Sequence, residues 1–134
     1  MKILTYLILS VAALMVMADV GAQTNNAITT DVVNAIRKGD SESLSKNFYG
    51  NIELVLPAKT GVYSKNQAEM VMKDFFNEYP VDHFNIIHEG KKENASFAIG
   101  NYDSSNNHFR FTFLTKVQNS KLLIHQLRIE KQDE

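Results

Sequence analysis

Of the residues able to do chemistry, four histidines stand out: His83, His88, His108 and His125. His88 alternates with Phe84 and Ile86, and His125 with Leu123 and Leu127. If both faces look inward, two imidazoles enter one interior, where a buried histidine acts as a tuned base or a ligand. The plainer reading is a satisfied histidine in a core or cavity wall. No His-x-His or His-Glu-x-x-His spacing is present, so the sequence assigns no metal and no cofactor. Cysteine is absent, which removes a thiolate nucleophile, a thiolate metal site and any disulfide. There is no Gly-x-Ser-x-Gly elbow and no phosphate-binding glycine loop.

Tyr63, Tyr79, Tyr102, Asp82 and Asp103 are the other raw material. Tyr63 precedes a helix cap and is expected to pack at the start of that helix. Tyr79 falls on an apolar helical stripe and reads as core. Asp82 follows the helix and Asp103 lies in a turn-rich stretch, so both read as solvated. Arg110, with His108 and Thr112, faces away from Phe109, Phe111 and Phe113; it reads as a solvated face or an anion contact. Asn94-Ala95-Ser96 fits a glycosylation sequon, a pattern common by chance.

The element that must position these residues is a helix over residues 64–79. Ser64 is its cap, and Gln67 completes a capping box. Ala68, Val71, Met72, Phe75 and Tyr79 form one apolar stripe, Glu69 and Lys73 an i, i+4 pair, and Pro80 the stop. Met70 falls off the stripe. Upstream, Ile28, Val32, Ala35 and Ile36 mark another helix that Gly39 ends. Asp40 or Ser41 caps a short helix presenting Leu44 and Phe48. Gly50-Asn51 reads as a turn, and Ile52, Leu54 and Leu56 as a strand that Pro57 stops, followed by a loop over 58–61.

Downstream the period changes to two. Strands are expected around Phe84–His88, Phe97–Asn101, Phe109–Phe113 and Leu123–Ile129, with turns at Gly90-Lys91-Lys92, Asp103–Asn107 and Gln118-Asn119-Ser120. The expected fold is α+β: N-terminal helices packed in the concave face of a strongly curved antiparallel sheet, a cone.

The chain has 134 residues, and its start reads as an export signal. Met1-Lys2 is the positive start, Ile3 to Met17 is nearly unbroken apolar sequence, and Val20-Gly21-Ala22 supplies small residues for cleavage. The expectation is a signal peptide over 1–22, a single domain over 23–134, and a periplasmic or secreted protein with no membrane span after cleavage. The apolar run is shorter than the ~20 residues that cross a bilayer, which disfavours a membrane anchor. The net charge is −1, with 14 basic and 15 acidic residues, which argues against an electrostatically driven nucleic-acid binder.

The run Ala35-Ile36-x-x-Gly39-Asp40-x-x-x-Leu44-x-x-x-Phe48, followed by Ile52 and Leu54, resembles the opening of the nuclear-transport-factor-2-like, or cystatin-like, superfamily. Gly61-Val62-Tyr63-Ser64-Lys65-x-Gln67-Ala68 with Phe75-Phe76, and the end from Phe109-Arg110-Phe111 through Leu122 to Ile129, are similar to a narrower group. That group is domain of unknown function family 4783, small exported bacterial proteins. The resemblance implies the cone fold and export, and no activity. Enzymes of the superfamily use an aspartate or histidine in the cone with a tyrosine or second acid, but no such motif matches here residue by residue.

Three functions follow as expectations. The first is a non-enzymatic domain binding a small molecule or a protein, with His88, His125, Tyr63 and Tyr79 as pocket candidates. The second is a lyase or isomerase acting in the cone. The third is a structural module that forms a homodimer through the outer sheet face.

Overall fold

A computed structural model describes residues 26–133. The segment read as an export signal lies outside the described residues. Helix α1 (Thr30–Arg37) starts where the Thr29 hydroxyl accepts the Val32 N–H, and it buries Val32, Ala35 and Ile36. Gly39 ends it at φ +63°, with Gly39 N–H donating to Ile36 O and Asp40 N–H to Ala35 O. That left-handed turn satisfies carbonyls the helix would leave open. Asp40 then caps α2 (Ser41–Ser45), accepting the Ser43 N–H at 3.0 Å and the Ser43 hydroxyl at 2.7 Å. Those bonds to its ionised form hold the Asp40 carboxyl below its usual pKa.

Six strands follow: β1 (Phe48–Val55), β2 (Thr60–Ser64), β3 (His83–Lys92), β4 (Ala95–Ser104), β5 (Asn107–Gln118) and β6 (Lys121–Lys131). They form one sheet in the order β2-β1-β6-β5-β4-β3, antiparallel except for the β1–β6 pair. Between β2 and β3 runs the long helix α3 (Lys65–Glu78).

Four local expectations need correction. Gly50 and Asn51 lie inside β1. The stretch read as a loop into the helix forms β2, because Leu56 and Lys59 exchange both backbone hydrogen bonds around Pro57-Ala58 and close a tight hairpin. The β3–β4 turn falls at Glu93-Asn94, so Gly90 is a strand residue. Gly90 is small for another reason: any Cβ there would run into the Phe97 ring. The β4–β5 turn contracts to Ser105-Asn106, leaving Asp103 and Ser104 in β4.

Helix α3 has the expected capping box: Ser64 Oγ accepts the Gln67 N–H, and Gln67 Oε1 accepts the Ser64 N–H. Its buried stripe is Ala68, Met72, Phe75 and Phe76, with Val71 and Tyr79 half-buried. The stripe is therefore rotated toward Phe76, which packs beside Gly39. Among the described residues Glu69 and Lys73 form no ion pair.

The hollow of the curved sheet is filled. Phe84, Tyr102, Phe109, Phe111 and Phe113 rise from β3, β4 and β5 and meet Phe75 and Phe76 of α3. Tyr102 stacks on Phe111 with ring centroids 4.8 Å apart and planes 6° from parallel. Gly100 makes room for Phe84, whose ring would lie 2.7 Å from a Cβ at that position.

Candidate functional site

Strands β3 and β6 each carry one extra residue, and this decides where the histidines point. In β3, Ile86 pairs with Gly100 but His88 pairs with Ile99, so Ile87 is bulged out. Gly100 faces the helices with buried Ala98 and Tyr102, and Ile99 faces away. An extra residue reverses the side of everything after it. His88 thus leaves the face of Phe84 and Ile86 and lies exposed on the outer surface, its ring 5.4 Å from Phe97.

The same happens in β6. Thr115 pairs with Ile124 and Leu114 with Gln126, which leaves His125 as the bulged residue. Ile124, Leu127 and Ile129 face the core, while His125 turns outward against Tyr49, with ring centroids 6.1 Å apart. Partial burial, then the charge of Lys116, lowers the His125 pKa, with Glu53 opposing. The two imidazoles therefore share no interior with each other or with the tyrosines.

Tyr63 is half-buried on β2, pairs with Ile52 and covers Gly61, whose Cβ would come within 3.1 Å of its ring. Tyr102 is wholly buried; its hydroxyl donates to Tyr79 O at 2.5 Å, and burial pushes its pKa well up. Asp82 is tied into the β4–β5 turn through the Ser105 N–H at 2.6 Å. Arg110 is exposed on the outer face, between Asn101 and Glu130.

A close acid–base pair does exist. Asp103 Oδ1 lies 2.7 Å from His108 Nδ1 as a cross-strand pair between β4 and β5. Both side chains are more than one-third exposed on the outer face. The sequence hides this pair because Asp103 lies in a turn-rich stretch, whereas the tight Ser105-Asn106 turn sets it opposite His108. Among the described residues no group of three or more histidine, aspartate or glutamate side chains could hold a metal ion.

A recess lies beside α3. The β1–β2 hairpin supplies Leu56, Pro57, Ala58 and Lys59, and α3 supplies Val71, Asp74, Phe75 and Glu78, with Tyr79 at the end. The hollow is ≈ 230 Å³, with a mainly apolar wall. Its shape follows from the two-residue hairpin, which brings Pro57 and Ala58 over the helix flank at Val71 and Phe75. Of the four pocket candidates only Tyr79 lines it. The charge of Glu78, then burial, raises the Tyr79 pKa. Leu56, Pro57 and Val71 were legible as apolar residues, but β2 was not, and without β2 nothing brings the hairpin to the helix.

Helices held against one face of a bent, mostly antiparallel sheet give the molecule a nuclear-transport-factor-2-like α+β fold. The structure matches an NTF-2 like protein of unknown function from Silicibacter pomeroyi DSS-3 at TM-score 0.60 and 13% identity, covering 76% of this chain and 87% of that one. It also matches a ketosteroid isomerase-like protein from Erwinia carotovora atroseptica at TM-score 0.65 and 12% identity, covering 78% and 90%. Those likenesses show the fold alone. Residues 29–130 match the model of Domain of unknown function (DUF4783), and the chain belongs to that family. A DUF4783 family protein from Bacteroides ovatus superposes at TM-score 0.76 with 34% identity, covering 81% of this chain and 99% of that one. No curated protein matches.

Proposed function

We propose that this protein is a non-enzymatic binding domain that takes a small ligand in the recess between the β1–β2 hairpin and α3. The carrying observation is the contrast between two hollows. The cone interior, where the fold could house chemistry, is packed with Phe75, Phe84, Tyr102, Phe109, Phe111 and Phe113. The recess beside it offers an apolar wall with few polar groups, the usual character of a small-molecule site. A lyase or isomerase loses its motive, since His88 and His125 lie on the outer face.

Small molecules extracted from the natively purified protein test this. A compound recovered from wild type and from His88→Gln and His125→Gln, but lost from Val71→Trp, is the expected result, because the indole fills the recess. A compound retained by Val71→Trp overturns the site. A chemically converted product lost in one glutamine variant overturns the non-enzymatic reading and names the base.

Export belongs to the same proposal: cleavage after Ala22 leaves Gln23 as the first residue of a periplasmic or secreted protein. A mature mass that still includes residues 3–17 overturns it. A second reading, a homodimer through the outer sheet face, is favoured by the exposed Ile87 beside His88 and the shallow apolar groove over Phe97 and Leu114. Sedimentation that stays monomeric at high protein concentration refutes it.

A further inference from the structure

The polar groups of the recess are lopsided. Asp74 and Glu78 stand four apart on α3, so both carboxylates overhang the same flank of the helix. Like charges at that spacing repel. Glu78 also ends the last turn, with Asp74 just before it, where the open carbonyls make the helix end negative and a cation is preferred. That turn contains no basic residue. Lys59, the one base lining the recess, reaches in from the hairpin and forms no ion pair with either carboxylate among the described residues. The high Tyr79 pKa, set first by Glu78, reports the same negative potential. The wall beneath is apolar and partly aromatic, with Phe75 and Tyr79. Ring faces attract cations.

Resting on the binding role proposed above, we infer that the ligand is a small organic cation: an amine or quaternary ammonium on a compact apolar body. The body fills the space between Pro57, Val71 and Phe75. The cationic head lies at the rim between Asp74 and Glu78, where it relieves their repulsion. A primary amine donates hydrogen bonds to the carboxylates, and a quaternary head uses charge and the Tyr79 ring.

Three one-ring probes separate the ligand class from the site: benzyltrimethylammonium, benzyl alcohol and phenylacetate. Binding is read from amide shifts of Val71 and Phe75 in the folded protein. The cation is expected to bind about tenfold more tightly than the neutral probe, with phenylacetate weakest, as a few kJ/mol of net charge attraction gives. Asp74→Asn with Glu78→Gln should erase that preference and leave benzyl alcohol unchanged. Lys59→Ala should tighten the cation. Raising salt from 20 to 500 mM should weaken only the cation, on the order of threefold. Equal binding of all three probes, or tighter phenylacetate, overturns the cation and leaves the recess standing. No shift at Val71 or Phe75 with any probe overturns the recess as well.

Discussion

Phe75→Ala is the sharpest test of how the cone is closed. The ring is 5% exposed. Its centroid lies 5.2 Å from Phe109, 5.3 Å from Tyr79, 5.5 Å from Tyr102, 5.8 Å from Phe111 and 6.1 Å from Phe76. Truncating a buried phenylalanine costs ~3–5 kcal/mol in lost transfer energy and residual cavity. Each favourable ring pair adds ~0.5–1.5 kcal/mol beyond burial, which argues for the upper half of that range. One feature argues downward: Phe75 also lines the recess, so part of the space opens to water and is not left empty. The expected loss is about 4 kcal/mol, within the ~5–15 kcal/mol stability of an ordinary domain, so the variant should still fold. Met70→Ala is the control: Met70 is 54% exposed on the same helix, and its truncation should cost ~0.5 kcal/mol or less. Urea melts with an unchanged slope would measure both. Equal losses, or under ~1.5 kcal/mol at Phe75, would refute the claim that these rings close the interior.

Gly100→Ala should cost ~1–3 kcal/mol by overpacking, since the new Cβ lies 2.7 Å from the Phe84 ring and 3.2 Å from Asn85 O; wild-type stability in the same melts would show that the two strands give way freely. His125 supplies a pH test. Its folded pKa lies below the ordinary 6.5, so as pH falls through 6.5 the unfolded chain takes the proton first and stability drops, until the folded value is passed. His125→Gln should flatten the change in urea midpoint between pH 7.5 and pH 5, and an unchanged slope would mean that the imidazole is as well solvated folded as unfolded.

The helices were legible because their signals are local. Thr29, Asp40 and Ser64 each bond a backbone N–H within three residues, and Gly39 takes the positive φ that ends α1. Strand β2 was not, because Thr60–Ser64 has no strong alternation and exists through its pairing with β1. The histidines were misplaced by a rule applied without interruption. Period two assigns a face only while the ladder is regular, and the bulges at Ile87 and His125 break it. A trace of the second was present: Leu123 and Ile124 are both apolar next to Leu127 and Ile129, so the alternation of two faces is interrupted just before His125.

The bulges and the aromatic filling are two parts of one arrangement. Phe109, Phe111 and Phe113, spaced by two on a regular stretch of β5, set three rings side by side in the hollow, and Phe84 and Tyr102 flank them from β3 and β4. Long strands bent around such a cluster need strong curvature, and an extra residue increases local twist and bend. In β3 the extra residue Ile87 carries the following His88 to the outside, and in β6 the extra residue is His125 itself, so the bending that fits the sheet around its rings removes the imidazoles from the interior. An interior closed in this way leaves the recess proposed as the binding site on the flank of α3, where a short hairpin meets Asp74 and Glu78 beside Phe75 and Tyr79.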